Sequence, residues 1–172
     1  MNVRIPKKVA VTVGVAAAMI GGTASAYGVG SSVTASSTDV VITSGASHNL
    51  SASGGVRTTV LTATLPAGKW VLSARGDLVD WGPSDYTRCV TLVGGAQVAS
   101  VSTMVGDPAG AGSSGASSLV SPFSLIGAVA LSSSATATVQ CWHDATKSSS
   151  GYVDPGATLQ LHKTTSLQIA TQ

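Results

Sequence analysis

From residue 58 onward the apolar side chains fall on every second position, and that period narrows the choice of fold more than any other feature of the chain. Phe123, Leu125, Gly127, Val129 and Leu131 take alternate places in one unbroken run. A period of two puts such residues on one face of a strand, whereas a helix would need them three and four apart. Leu61, Ala63 and Leu65 share a face before the turn Pro66-Ala67-Gly68-Lys69, and Trp70, Leu72, Ala74 and Leu78 share one after it. These two runs are expected to pair as a hairpin. Tyr86 to Val93 and Ala96 to Val105 flank Gly94-Gly95, a pair suited to a two-residue hairpin turn. Val139 and Cys141 oppose Gln140 and Trp142, and Leu159 and Leu161 oppose Thr158, Gln160 and His162. Nowhere do apolar residues keep helical spacing over three turns. Seven to eight short strands separated by turn signals predict an all-β chain folded as a two-sheet antiparallel sandwich or jelly roll.

The first residues have a different character. Arg4, Lys7 and Lys8 precede an apolar run from Val9 to Ile20, followed by Gly21-Gly22 and by the small residues Ala24 and Ala26. This order reads as a secretory signal peptide over residues 1–26, cleaved after Ala26. The apolar run is too short for the ~20 residues of a spanning helix, so no permanent membrane anchor is expected after cleavage. Residues 27–55 are rich in Ser, Thr, Ala and Gly and read as a flexible arm with an edge strand at Asp39–Thr43; residues 56–172 form the sandwich domain. Within it, Asp107 to Ser118 is nearly all Gly, Ala and Ser and is expected to be a mobile loop.

Cleavage after Ala26 leaves six basic residues against seven acidic ones, a net charge of −1. The basic residues, Arg57, Lys69, Arg75, Arg88, Lys147 and Lys163, are dispersed, so no stripe exists to neutralise a run of phosphates and nucleic acid is excluded as a partner. With one Phe, three Trp and three Tyr, the core must be built mainly from small aliphatic side chains. Cys89 and Cys141 are the only cysteines; in an exported chain they are expected to form a disulfide that ties two strands together.

Ser, His and Asp are all present, yet the chain has no Gly-x-Ser-x-Gly elbow. His143 and Asp144 are adjacent in a strand and therefore point to opposite faces, which prevents Asp144 from orienting His143. No catalytic residue is assigned. Cys141 and His143 share a face, but one pair does not complete a tetrahedral zinc site, and a disulfide removes the thiolate. Asp77, Asp80 and Asp85 gather around the Trp81 loop as oxygen ligands for calcium; their spacing matches no EF-hand, and they are expected to be ordinary solvated carboxylates. No cofactor is expected. The binding candidates are Trp81, Asp85 and Tyr86 around a Gly-Pro turn, with Trp142 and His143, because an exposed indole suits stacking on a sugar ring or a protein contact. Against that stands the expectation that each tryptophan covers the end of a sandwich filled by small side chains. Asn49-Leu50-Ser51 has the form of a glycosylation sequon, read here as chance because the leader looks bacterial.

Four stretches carry a resemblance: Leu65-Pro66-Ala67-Gly68-Lys69-Trp70, Gly82-Pro83-Ser84-Asp85-Tyr86-Thr87-Arg88-Cys89, Cys141-Trp142-His143-Asp144 and Tyr152-Val153-Asp154-Pro155-Gly156-Ala157. Together they resemble small secreted proteins of actinomycetes, over about Thr58 to Leu167, a likeness that implies fold and compartment but no activity. Leu-Pro-Ala-Gly opening a strand, and Phe123-Ser124-Leu125-Ile126-Gly127, are more distantly similar to jelly rolls of the C1q and tumour-necrosis-factor type. That likeness implies a trimer that binds partners without catalysis, although the chain has few of the aromatics such trimers use. The expectation is a secreted, non-catalytic binding or interaction module whose partner is an extracellular glycan, a cell-envelope component or a protein. Two alternatives remain open: a self-associating structural protein of the extracellular space, and a secreted hydrolase using His143 or His162 with a carboxylate.

Overall fold

The computed structural model describes residues 33–34, 39–107 and 119–169. The expected signal peptide, its expected cleavage site at Ala24 and Ala26, and nearly all of the expected loop over 107–118 lie outside the described residues. All regular structure among the described residues is strand: β1 (Val33–Thr34), β2 (Asp39–Thr43), β3 (His48–Asn49), β4 (Thr58–Leu65), β5 (Gly68–Val79), β6 (Asp85–Val93), β7 (Ala96–Val105), β8 (Val120–Leu131), β9 (Ala135–His143), β10 (Tyr152–Val153) and β11 (Thr158–Thr164).

The strands form two sheets. One runs β1-β4-β9-β6-β7, antiparallel except for the two-residue pairing of β1 with β4. In the other, β5 pairs with β8 along one side and with β11 and then β10 along the opposite side; β2 lies outside β11, and β3 outside β10. Both long edges meet where β7 approaches β8, with Thr103 Oγ1 3.0 Å from Ser121 Oγ. The interior is where the alternating faces meet: Leu61, Ala63, Leu65, Ala137 and Val139 from one sheet against Trp70, Leu72, Phe123, Leu125, Leu159 and Leu161 from the other. Each fully buried leucine or phenylalanine contributes about 1.5–3 kcal/mol relative to exposure. Trp70, the largest, is completely buried, and its Nε1 donates to Pro66 O at 3.0 Å, which satisfies the one polar atom it carries inward.

The antiparallel sandwich is as expected, and so is the β6–β7 hairpin, whose Gly94 and Gly95 both take positive φ (58° and 82°) as the turn requires. The expected hairpin of β4 with β5 does not form. β4 hydrogen-bonds to β9, β5 to β8 and β11, and Pro66-Ala67 carries the chain from one sheet to the other. Alternation specifies which face of a strand is buried but not which strand lies beside it, and both sides of this corner bury their apolar face in the same interior. The folded unit also begins before residue 56. The β2 edge strand is present as expected, Leu50 is buried in the core, and Gly55 N donates to His143 O at 2.7 Å.

Cys89 and Cys141 sit directly opposite each other on β6 and β9 and are bonded. The link therefore lies within one sheet and does not join the two. Closing a 52-residue separation stabilises the fold by about 4 kcal/mol on the chain-entropy account.

Candidate functional site

One end of the sandwich is formed where β5 stops, β6 starts and β9 stops, and it gathers a cluster of charged side chains. Asp80 follows the last residue of β5 and is only 1% exposed. Its Oδ1 accepts from Gly82 N at 2.8 Å, which folds the loop back over it, and its Oδ2 accepts from Lys147 Nζ. Asp85 opens β6. Its Oδ2 accepts from Ala145 N at 2.9 Å, and its Oδ1 lies 2.8 Å from Lys147 Nζ. Pro83 O completes the set at 2.6 Å, so each of the three ammonium protons has an acceptor. The loop carrying Lys147 is pinned from the other side, Lys147 N donating to Ala52 O (2.8 Å) and Gly54 N to Thr146 Oγ1 (3.1 Å).

His143, the last residue of β9, is buried against this cluster. Gly151 N donates to its Nε2 at 3.3 Å, which leaves the ring proton on Nδ1, facing Thr87 Oγ1 at 3.0 Å and Asp85 Oδ1 at 3.2 Å. Burial first, and the Lys147 ammonium second, hold the imidazole below its ordinary 6.5, against the opposing pull of Asp85 and Asp80. His143 is thus a neutral, fully bonded ring closed off from solvent.

Asp80, Asp85 and His143 each bring a ligand-type atom within 4.8 Å of the others, so these are the residues that could hold a metal ion. The Lys147 ammonium already provides the positive charge between the two carboxylates, and a divalent ion would have to displace it together with the Nδ1 proton. The carboxylate cluster expected from the sequence is therefore redrawn. Asp77 is exposed on the outside of β5 and takes no part, whereas Asp80 is buried and Asp85 largely so, rather than solvated, because the loop after β9 folds over them. Lys147 was not singled out in the sequence. It stands in a polar stretch, and nothing local distinguishes a solvated lysine from one that a distant loop will bury.

The outer face of the same strands carries a second group. Asp144 turns outward as the alternation requires and accepts from Arg88 Nε (2.7 Å) and Nη2 (2.6 Å). The two hydrogen bonds hold its carboxyl below the usual range. The Arg88 guanidinium lies 5.9 Å from the Tyr86 ring centre, and Arg57 lies 4.8 Å from that of Trp142. Tyr86 is 52% exposed and Trp81, in the loop after β5, 66% exposed; Trp142 is half-buried. Burial as expected for every tryptophan holds for Trp70 alone. Trp81 sits beyond the end of β5, where the interior is already closed by Asp80 and Lys147.

Among the described residues the remaining histidines form no triad. Ser44 Oγ is 2.7 Å from His48 Nε2, but its own proton goes to Ala46 O at 2.7 Å, and among the described residues no carboxylate pairs with His48. His162 Nδ1 is 2.5 Å from Asp39 Oδ1 across β11 and β2, with no hydroxyl bonded to the ring among the described residues. No protein-family model matches the chain, and no curated protein is similar to it.

Proposed function

We propose that the protein is a secreted, non-catalytic binding module that takes an extracellular glycan or envelope polymer against the aromatic and guanidinium groups at one end of its five-stranded sheet. The observation that carries this reading is the outer face itself, where Tyr86 and Trp142 stand on adjoining strands with Arg88 and Arg57 beside their rings, next to the exposed Trp81 loop. Flat rings suit stacking on sugar faces, and guanidinium groups suit hydroxyl and carboxylate substituents. Tyr86 and Trp142 lie close along their strands to the Cys89–Cys141 link, so the surface is held rigid before a ligand arrives, which lowers the ordering cost of binding. The leader-like residues 1–26 and the disulfide support an extracellular location, in keeping with the resemblance to secreted actinomycete proteins.

The test is retention of the protein recovered from culture medium on immobilised envelope polysaccharides, with tryptophan fluorescence to follow titration. The expected result is retention on at least one polymer, lost in a Trp81→Ala/Tyr86→Ala variant that melts at the same temperature as the parent. Absence of retention across the whole panel ends this reading.

Self-association is the second reading. Val41 and Ile126, exposed by 59% and 73%, lie in one cross-strand row with Gln160 and Ser73 on the outer face of the six-stranded sheet. Sedimentation of the protein at high concentration decides it: a trimer or dimer supports it, and a monomer removes it.

A further inference from the structure

The buried cluster places an amine and a carboxyl in a relation that the binding surface does not use. Lys147 Nζ rests on Asp80 Oδ2 with their side chains 4% and 1% exposed, and Asp85 Oδ1 touches the same nitrogen at 2.8 Å from the side. We infer that Lys147 and Asp80 condense to an intramolecular amide, with Asp85 carrying the proton between them.

The atoms balance without any co-reactant. The Lys147 ammonium passes one proton by way of Asp85 to Asp80, so that a free amine faces a neutral carboxylic acid, and the nitrogen lone pair then adds to Asp80 Cγ. The new C–N bond forms as one C–O bond breaks, and the departing hydroxyl takes the second nitrogen proton, relayed by Asp85, leaving as one water. Ammonium and carboxylate become a neutral amide and water. In bulk water the two ions are too well solvated for this to proceed. Here they are stripped of solvent and held in contact, which raises their effective concentration and penalises the charged reactants but not the neutral product. Pro83 O at 2.6 Å and the Asp80 Oδ1 bond to Gly82 N fix both partners, so neither turns away. His143 Nδ1, 3.2 Å from Asp85 Oδ1, orients the shuttle as a positioning residue.

The bond supplies a side-chain cross-link between the two sheets, which the disulfide does not. Cys89–Cys141 joins two strands of one sheet, whereas Asp80 ends the central strand of the six-stranded sheet and Lys147 follows β9 of the other. The amide clamps the two layers across a core of mostly small side chains, over a separation of 67 residues against 52 for the disulfide.

Intact-mass spectrometry of the full secreted protein, denatured and reduced, reads the bond directly. The expected mass is that of the processed, reduced chain less one water, and the deficit persists after reduction. Trypsin should then fail to cut after Lys147 and release a branched peptide joined to residues 76–88, with fragmentation placing the branch on Asp80. Full mass with cleavage after Lys147 overturns the inference and leaves a buried ion pair. A branch on Asp85 overturns the assignment of partners. Asp85→Asn is expected to keep the amide dispersion of the native fold in NMR yet show full mass, as Lys147→Ala and Asp80→Ala do even where they fail to fold. An Asp85→Asn protein that still lacks one water refutes the shuttle.

Discussion

At the end of β9 the chain serves two regions in consecutive residues. His143 turns inward to a cluster of Asp80, Asp85 and Lys147 that solvent does not reach, and Asp144 turns outward to Arg88 on a surface that solvent bathes. Both regions bring a basic side chain and a carboxyl group into short contact, yet their weights differ. Exposed pairs gain little, because water already stabilises each charge and salt screens the rest. Buried pairs gain nothing over a well-packed apolar core, but removing one partner strands the other without solvent. The inner group therefore acts as a structural lock, while the outer one adds little to stability and stays accessible to a ligand.

That contrast can be broken experimentally. The largest effect is expected from Asp80→Ala, which takes away the partner of Lys147 and leaves a buried amine beside Asp85 alone. It should lower stability by about 3–5 kcal/mol in urea denaturation, and a loss no larger than that of a surface substitution would show that the cluster is not a lock. Gly151→Ala comes next. A Cβ there would meet Val79 O at 2.8 Å and His143 Nε2 at 2.9 Å, so the chain must shift and lose about 1–3 kcal/mol by the same assay.

A smaller effect follows from the protonation of His143, whose imidazole in the folded state sits below 6.5, facing Asp85, Asp80 and Lys147. The unfolded chain binds the proton first as pH falls, so this contribution is fully present above about pH 6.5 and is lost as pH falls through the folded value. The melting temperature of the parent should decline between about pH 7 and about pH 5 more steeply than that of His143→Gln. Equal slopes would assign the decline to the carboxylates alone. The smallest effect is expected outside: Arg88→Ala should leave the denaturation midpoint unchanged while the Asp144 carboxyl titrates upward toward the ordinary range in NMR, since the guanidinium is what holds it down. A clear drop in stability would erase the distinction between the two regions.

Much of the candidate site was legible strand by strand. The opposite directions of His143 and Asp144, the shared face of Cys141 and His143, and the prominence of Trp81, Asp85, Tyr86 and Trp142 follow from positions alone, and each lies at the described end of the sandwich. The part played by Lys147 and the burial of Asp80 did not follow. Asp77 and Asp80 stand three residues apart, so the two-residue period alone turns Asp77 outward and Asp80 inward, but only the tertiary structure brings a loop from the other sheet over Asp80.

The sequence by itself determined that the chain forms strands, where the β6–β7 hairpin turns, and which residues of β8, β9 and β11 face inward, because the two-residue period and the glycine pair are properties of the local backbone. The tertiary structure decided that β4 and β5 part into different sheets, that the disulfide stays within one of them, and that Lys147 meets Asp80. Those outcomes depend on which distant segments come to lie together, and the free energy of a charge depends on what surrounds it rather than on its neighbours in the chain.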